Sequence, residues 1–273
     1  MGNCTVSVRT WILAAASFSC AAALHIAQGV NIDNAAAQVV LSNLVVLLPV
    51  GVMTISATWA ALQYDRGEPV QRQWLLIALG LACFEIGSLI KGFYEMALQR
   101  PVPYPGLPDL FYLVWYPLVG LALILAITST SKLFNVARPM AISFAISAGA
   151  AAAMWYFVLR PAAATSELGV GADTLNMLYP LASLLVLMPL GMTLAYLAEK
   201  FSGGRLALPW RVLAFGIAVL IVADVGFMVL ASAWAYTTGS VSDLFEAVGY
   251  TLVGVSALMA LDVHQPPSSE KEA

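Results

Sequence analysis

Eight stretches of this chain, at about 11–30, 36–62, 74–97, 109–130, 138–159, 174–198, 208–234 and 243–263, are long and almost wholly apolar. A helix needs roughly 20 such residues to cross the hydrocarbon core of a bilayer. Inside hydrocarbon, every backbone N–H and C=O must find a partner within the protein, which leaves only helices or closed barrels. The stretches are rich in Leu and Ala and lack the alternating ten-residue pattern of a barrel strand. The expected fold is therefore all-α: a polytopic integral membrane protein with eight transmembrane helices. Composition agrees. Hydrophobic residues make up 61% of the chain and charged residues 10%, against about 25% charged in a soluble domain. A lipid bilayer is the first expected partner, and no nucleic-acid partner is expected.

The position of Lys and Arg orients such a chain better than its net charge of −3. With the N-terminus inside, Arg9, Arg66, Arg72, Lys132, Arg138, Lys200, Arg205, Arg211 and Lys271 fall inside, and Lys91, Arg100 and Arg160 fall outside. Nine against three predicts eight spans with both termini cytoplasmic. Tryptophans 11, 59, 74, 155, 210 and 234 fall near span ends, as an aromatic belt requires. Reading the first apolar run as a cleaved signal would leave an odd number of spans. Cysteines 4, 20 and 83 have no paired spacing, so neither a disulfide nor a metal site is expected.

The chain also resembles itself. "LVVLLPVG" (44–51) matches "LLVLMPLG" (184–191), "WLLIALG" (74–80) matches "WRVLAFG" (210–216), and "DLFYLVWYPLVG" (109–120) matches "DLFEAVGYTLVG" (243–254). The order is kept and the offset drifts slowly from 140 to 134. Two four-helix repeats are expected, 1–135 and 136–263, followed by a disordered cytoplasmic tail, 264–273. An even number of crossings makes the repeats parallel, related by an axis along the membrane normal. Connections are short; the longest outer one expected is 160–173.

Ionisable groups in a span are costly and mark a function or a clamp. Glu85 and Asp224 lie near the middle of spans 3 and 7. One reading is a ligand or proton site between the two halves. The other is a helix–helix clamp to Asn43, Ser183 or Ser88. Lys91 and Glu95 have the i,i+4 spacing of an ion pair. Asp109 and Asp243 stand at the starts of spans 4 and 8, where an acid accepts orphan N–H groups and complements the helix dipole. The proline-rich rim "RPVPYPGLPD" precedes only the first of them, which leaves a ligand-binding outer loop open. His25 sits near the outer end of span 1 and could ligate a pigment or haem axially; His264 is expected at the opposite face, so the two cannot share a metal. No metal site and no catalytic residue is assigned, because no nucleotide loop, HExxH, GxSxG or cysteine cluster occurs. No cofactor is identified.

The segments "IALGLACFEIGSLIKGFYE", "PYPGLPDLFYLVWYPLVGLAL" and "LYPLASLLVL" resemble an eight-helix membrane region of bacterial signalling proteins. That region commonly precedes cyclic-di-GMP (GGDEF and EAL) domains and, in some proteins, histidine kinases. The resemblance covers about 40–262 and rests on the Pro-Tyr-Pro…Pro-Asp-Leu-Phe-Tyr segment. It implies a sensory membrane domain of the bacterial inner membrane whose output comes through a protein partner, since only a short tail follows Leu261. The chain departs from the pattern at Ser183 and Ser88, where the family tends to carry an acid, and keeps it at Asp224.

Three readings follow: a non-enzymatic accessory or sensory membrane module, which takes precedence; a transporter or channel using Glu85 and Asp224; and a pigment-, quinone- or haem-associated subunit. A small-molecule ligand and protein partners in the membrane are compatible with the first.

Overall fold

A computed structural model describes residues 6–31, 33–131, 134–164, 166, 169–200, 207–232 and 240–264. Eight helices are long and apolar enough to cross a membrane: α1 (Val8–Val30), α2 (Ala35–Leu62), α3 (Pro69–Ala97), α4 (Leu107–Ser131), α5 (Ala137–Ala164), α6 (Val170–Lys200), α7 (Ala207–Ser232) and α8 (Val241–His264). No strand occurs among the described residues. The helices begin one to five residues before the apolar stretches. The outer connection expected at 160–173 is shortened on both sides, since α5 stays helical to Ala164 and α6 begins at Val170. Of the expected tail, His264 still belongs to α8 and the rest lies outside the described residues.

Local chemistry sets the starts. The Ser7 hydroxyl accepts the Thr10 N–H at the start of α1, and Asn34 Oδ1 accepts the Ala37 N–H at the start of α2. Pro69 occupies the first position of α3, where no N–H is needed. The helices are apolar on nearly every face, and many large side chains point outward: Ile55 and Phe157 are both 73% exposed. A soluble domain would hide such groups, whereas lipid solvates them. Some buried hydroxyls bond within their own helix. Thr193 donates to Pro189 O, and Thr251 donates to Ala247 O.

α8 is central and α1 peripheral: 67% of the apolar window of α8 is buried, against 22% for α1. α3 packs closely on α4 and α7 on α8; α2 lies between α3 and α8, α6 meets α4, α5 and α7, and α1 lies on α2 and α8. Trp74 is fully buried and stacks on Trp210 with ring centroids 5.2 Å apart. It belongs to the core, unlike Trp11, Trp59 and Trp155, which are about half exposed as a belt residue would be. Trp234 lies outside the described residues. α6 carries a π turn at Ser183–Leu187, and α3 ends in one at Phe93–Ala97. Such turns shift the side-chain register of a helix and recur at functional sites.

The start of α1 is held by the end of α8. Asp262 Oδ2 accepts both the Ser7 N–H (2.9 Å) and the Thr10 hydroxyl (2.8 Å), placing a carboxylate at a helix N-terminus. Asp262→Ala should cost about 1–2 kcal/mol and act locally. Hydrogen exchange in the first turn of α1 is expected to speed up while the core stays protected. Unchanged exchange there would show that apolar packing alone docks α1.

Candidate functional site

At the end of the bundle that carries the α3–α4 connection, the helices enclose a cavity of about 320 Å³. Pro101, Val102 and Tyr104 of that connection form its rim, and Asp224 of α7 lies at its deeper end with Tyr116 of α4. Phe84 and Lys91 come from α3, Asp109 and Tyr112 from α4, Tyr179 from α6, Phe227 from α7, and Glu246 and Tyr250 from α8. Seven of the lining residues are aromatic, four are acidic, and Lys91 is the one cation among those described. A second hollow of about 30 Å³ adjoins it, sharing Phe84, Lys91, Tyr112 and Glu246 and adding Asn43, Ser88 and Asp243.

The polar groups are positioned by bonds between helices. Asp224 Oδ2 accepts the Tyr116 hydroxyl at 2.9 Å and the Ser183 hydroxyl. Ser183 is fully buried and opens the π turn of α6, which aims it at α7. Asp109 Oδ2 accepts the Gly106 N–H at 2.7 Å, the reach-back of an acid three positions into a helix. Its other oxygen accepts the Tyr179 hydroxyl at 2.7 Å, so this acid caps α4 and also ties it to α6. Asp243 holds the corresponding third position of α8, where its backbone N–H donates to Ser240 O.

The candidates from sequence separate into groups. Asp224 and Ser183 meet directly. Asn43 Nδ2 donates instead to Glu95 Oε2 at 2.7 Å, because the π turn at the end of α3 brings Glu95 over α2. Glu85 is not on the cavity face of α3. Its Oε1 lies against Gly51 of α2, 3.2 Å from where a Cβ would stand, and its Oε2 has no hydrogen-bond partner among the described residues. His25 lies half-buried on α1, and its Nδ1 has no partner among the described residues. His264 packs its ring on Tyr64. Because the start of α1 meets the end of α8, the two histidines lie about 27 Å apart along the helix axes. No group of three or more His, Cys, Asp or Glu residues among those described could hold a metal ion.

Sequence reasoning missed Tyr116, Tyr179, Glu246 and Tyr250 as site residues. A signal for two of them was present: Tyr116 and Tyr250 occupy the same column of the matching "DLF…" segments, and a tyrosine hydroxyl deep in a span needs a partner. Nothing in the sequence marks Tyr179, because its value lies in the distance to Asp109.

Tyr104 lies on the connection and donates to Asn176 Oδ1 of α6 at 2.6 Å. Burial, then the Asp109 and Asp173 carboxylates, hold its phenol above the ordinary value of about 10. A raised pKa favours the protonated form in the folded state, so its contribution is complete below about pH 10 and lost as pH rises further. The connection should therefore loosen only in alkali. Stability measured from pH 8 to 12 is expected to fall less steeply in Tyr104→Phe; equal slopes would remove Tyr104 as a contributor.

Comparison with known protein families, with curated proteins and with solved structures finds no match to the chain.

Proposed function

We propose that the protein is a non-enzymatic module of the bacterial cytoplasmic membrane, with both termini in the cytoplasm, that binds a small molecule in the α3–α4-end cavity and passes its occupancy to a protein partner. The observation that carries this reading is the cavity itself, which takes its lining from both halves of the chain. Two of its acids, Asp109 and Asp224, accept bonds from tyrosine and serine hydroxyls, and a few positioned polar groups in an otherwise apolar cavity are what a ligand site presents. A shift in Asp224 or Glu246 on binding would be felt at once by α4, α6 and α8, the route a sensor needs. The resemblance to membrane regions of cyclic-di-GMP signalling proteins points the same way.

The proposal includes two parallel four-helix repeats. Trp74 and Trp210 hold the same place in the matching segments and stack on each other, and a residue meets its own equivalent only near a two-fold axis. Asn43 and Ser183, Ser88 and Asp224, Tyr112 and Glu246, and Tyr116 and Tyr250 pair in the same alignment, and all eight lie at the two adjoining hollows or bond to a lining residue. A transport path joining Glu85 to Asp224 is less well supported, since Glu85 faces α2.

Gentle detergent purification from native membranes tests the function. The expected result is a stoichiometric membrane partner whose activity or retention changes in Asp224→Asn, with the purified variant still folded. A colourless, monodisperse chain without any partner would overturn the reading, and a pigment or haem spectrum would favour the bioenergetic alternative around His25.

A further inference from the structure

The two adjoining hollows differ in one respect that identifies a ligand class; the argument rests on the binding reading above. In the matching segments Lys91 of α3 aligns with Phe227 of α7, and Asp243 aligns with Asp109. Lys91 lines the smaller hollow together with Asp243 and Glu246, and interacts electrostatically with both and with Glu95. That half-site is served by an ammonium the chain supplies itself. The corresponding half-site, at Asp109 and Asp224, carries Phe227 where the ammonium would originate, and it is the larger of the two, about 320 Å³ against about 30 Å³.

We infer that the larger cavity binds an organic monocation, an alkyl- or arylalkylammonium, whose charged head takes beside Asp109, Asp224 and Glu246 the place that Lys91 takes beside Asp243. Charge argues for it. Glu95, Asp109, Asp224 and Glu246 face the cavity with Lys91 as their sole counter-charge among the described lining residues, and an excess of acidic groups in a span calls for a cation or a proton. The walls argue for it too. Aromatic rings beside acidic groups attract an ammonium through their faces and solvate its apolar part. Phe84 and Tyr250 pack on each other in this wall with ring centroids 3.8 Å apart. An anion would meet four acidic side chains, and a neutral apolar molecule would leave Lys91 as the one cation to serve them among the described lining residues.

The test uses the full chain in detergent or nanodiscs, with phenethylammonium and its neutral counterpart 2-phenylethanol as probes, read by equilibrium binding and thermal shift. Phenethylammonium is expected to bind saturably and about tenfold or more tighter than the alcohol, and Glu246→Gln should weaken it about tenfold. Phe227→Lys, which installs the ammonium in the chain, should abolish binding while Phe227→Met retains it. If Phe227→Lys does not fold, the Glu246→Gln comparison decides. Equal binding of both probes would overturn the cation assignment while leaving the cavity a ligand site. Saturable binding of neither would overturn the assignment too, and the partner experiment would then judge the functional reading by itself. Binding that persists in folded Phe227→Lys would place the probe elsewhere and also overturn it.

Discussion

Gly249→Val is expected to keep α7 and α8 from closing on each other and to leave little folded protein. A Cβ at residue 249 would stand 2.6 Å from Leu220 Cγ and 3.2 Å from Gly216 O. Across the same contact, a Cβ at residue 216 would stand 3.1 Å from Gly249 O and 3.2 Å from Val253 N. The two backbones thus touch through a pair of glycines, and neither can move without separating the helices. In lipid no hydrophobic force drives helices together, so close backbone approach supplies much of the association. Overpacking a site of this kind costs about 1–3 kcal/mol for a small group and more for a branched one, a large share of a domain's stability of about 5–15 kcal/mol. Gly149→Ala is the internal control. A Cβ there meets nothing within 4 Å, and Ala is the better helix former by about 1 kcal/mol. Yield of monodisperse protein and its melting temperature should fall steeply for Gly249→Val and hold or rise for Gly149→Ala. Comparable losses in both would mean that the α7–α8 contact is not set by those glycines.

The same pair of positions shows how the sequence encodes the fold and where it conceals the site. In the first half, Gly80 aligns with Gly216, while Trp115 aligns with Gly249. A Cβ on Gly80 would stand 2.9 Å from the Trp115 ring, which fills the space and meets Tyr250 edge-on at 4.9 Å. One helix pair closes backbone to backbone and the other closes around a ring. Helix number and approximate bounds were legible because a helix able to cross hydrocarbon needs about 20 apolar residues in a row, and hydrocarbon permits little else. The core role of Trp74 was not legible, because a belt tryptophan and a buried one look alike until their neighbours are known. The site was half legible. Span position picked out Asp224, and Ser183 was among the clamp partners expected for the mid-span acids. Yet Asn43 turns to Glu95 and Glu85 turns to Gly51, since π turns and helix rotation of about 100° per residue decide which wall a side chain joins. Asp109 was read as a cap from its position. Its second bond, to Tyr179, could come only from the packing of α4 on α6.

Asp224 is where clamp and ligand site can be told apart. Removing its side chain leaves the Tyr116 and Ser183 hydroxyls without their acceptor. Each such orphan costs about 1–3 kcal/mol when buried in a soluble core, but coupling energies in membrane bundles average about 0.6 kcal/mol. Asp224→Ala should therefore destabilise the bundle by about 1–3 kcal/mol. Asp224→Asn keeps an accepting oxygen and the same shape while discarding the charge, so it should lose well under half of that. A double-mutant cycle of Asp224→Asn with Tyr116→Phe, read by detergent or denaturant unfolding, should give a coupling of about 0.5–1.5 kcal/mol. A clamp alone predicts that function follows stability through the series. A ligand site predicts that they part at Asp224→Asn, which would stay folded and lose the response. The charge then has a task that the hydrogen bonds do not require. Were Asp224→Asn to keep both fold and response while Asp224→Ala lost both, the carboxylate would be a joint between α4, α6 and α7 and nothing more.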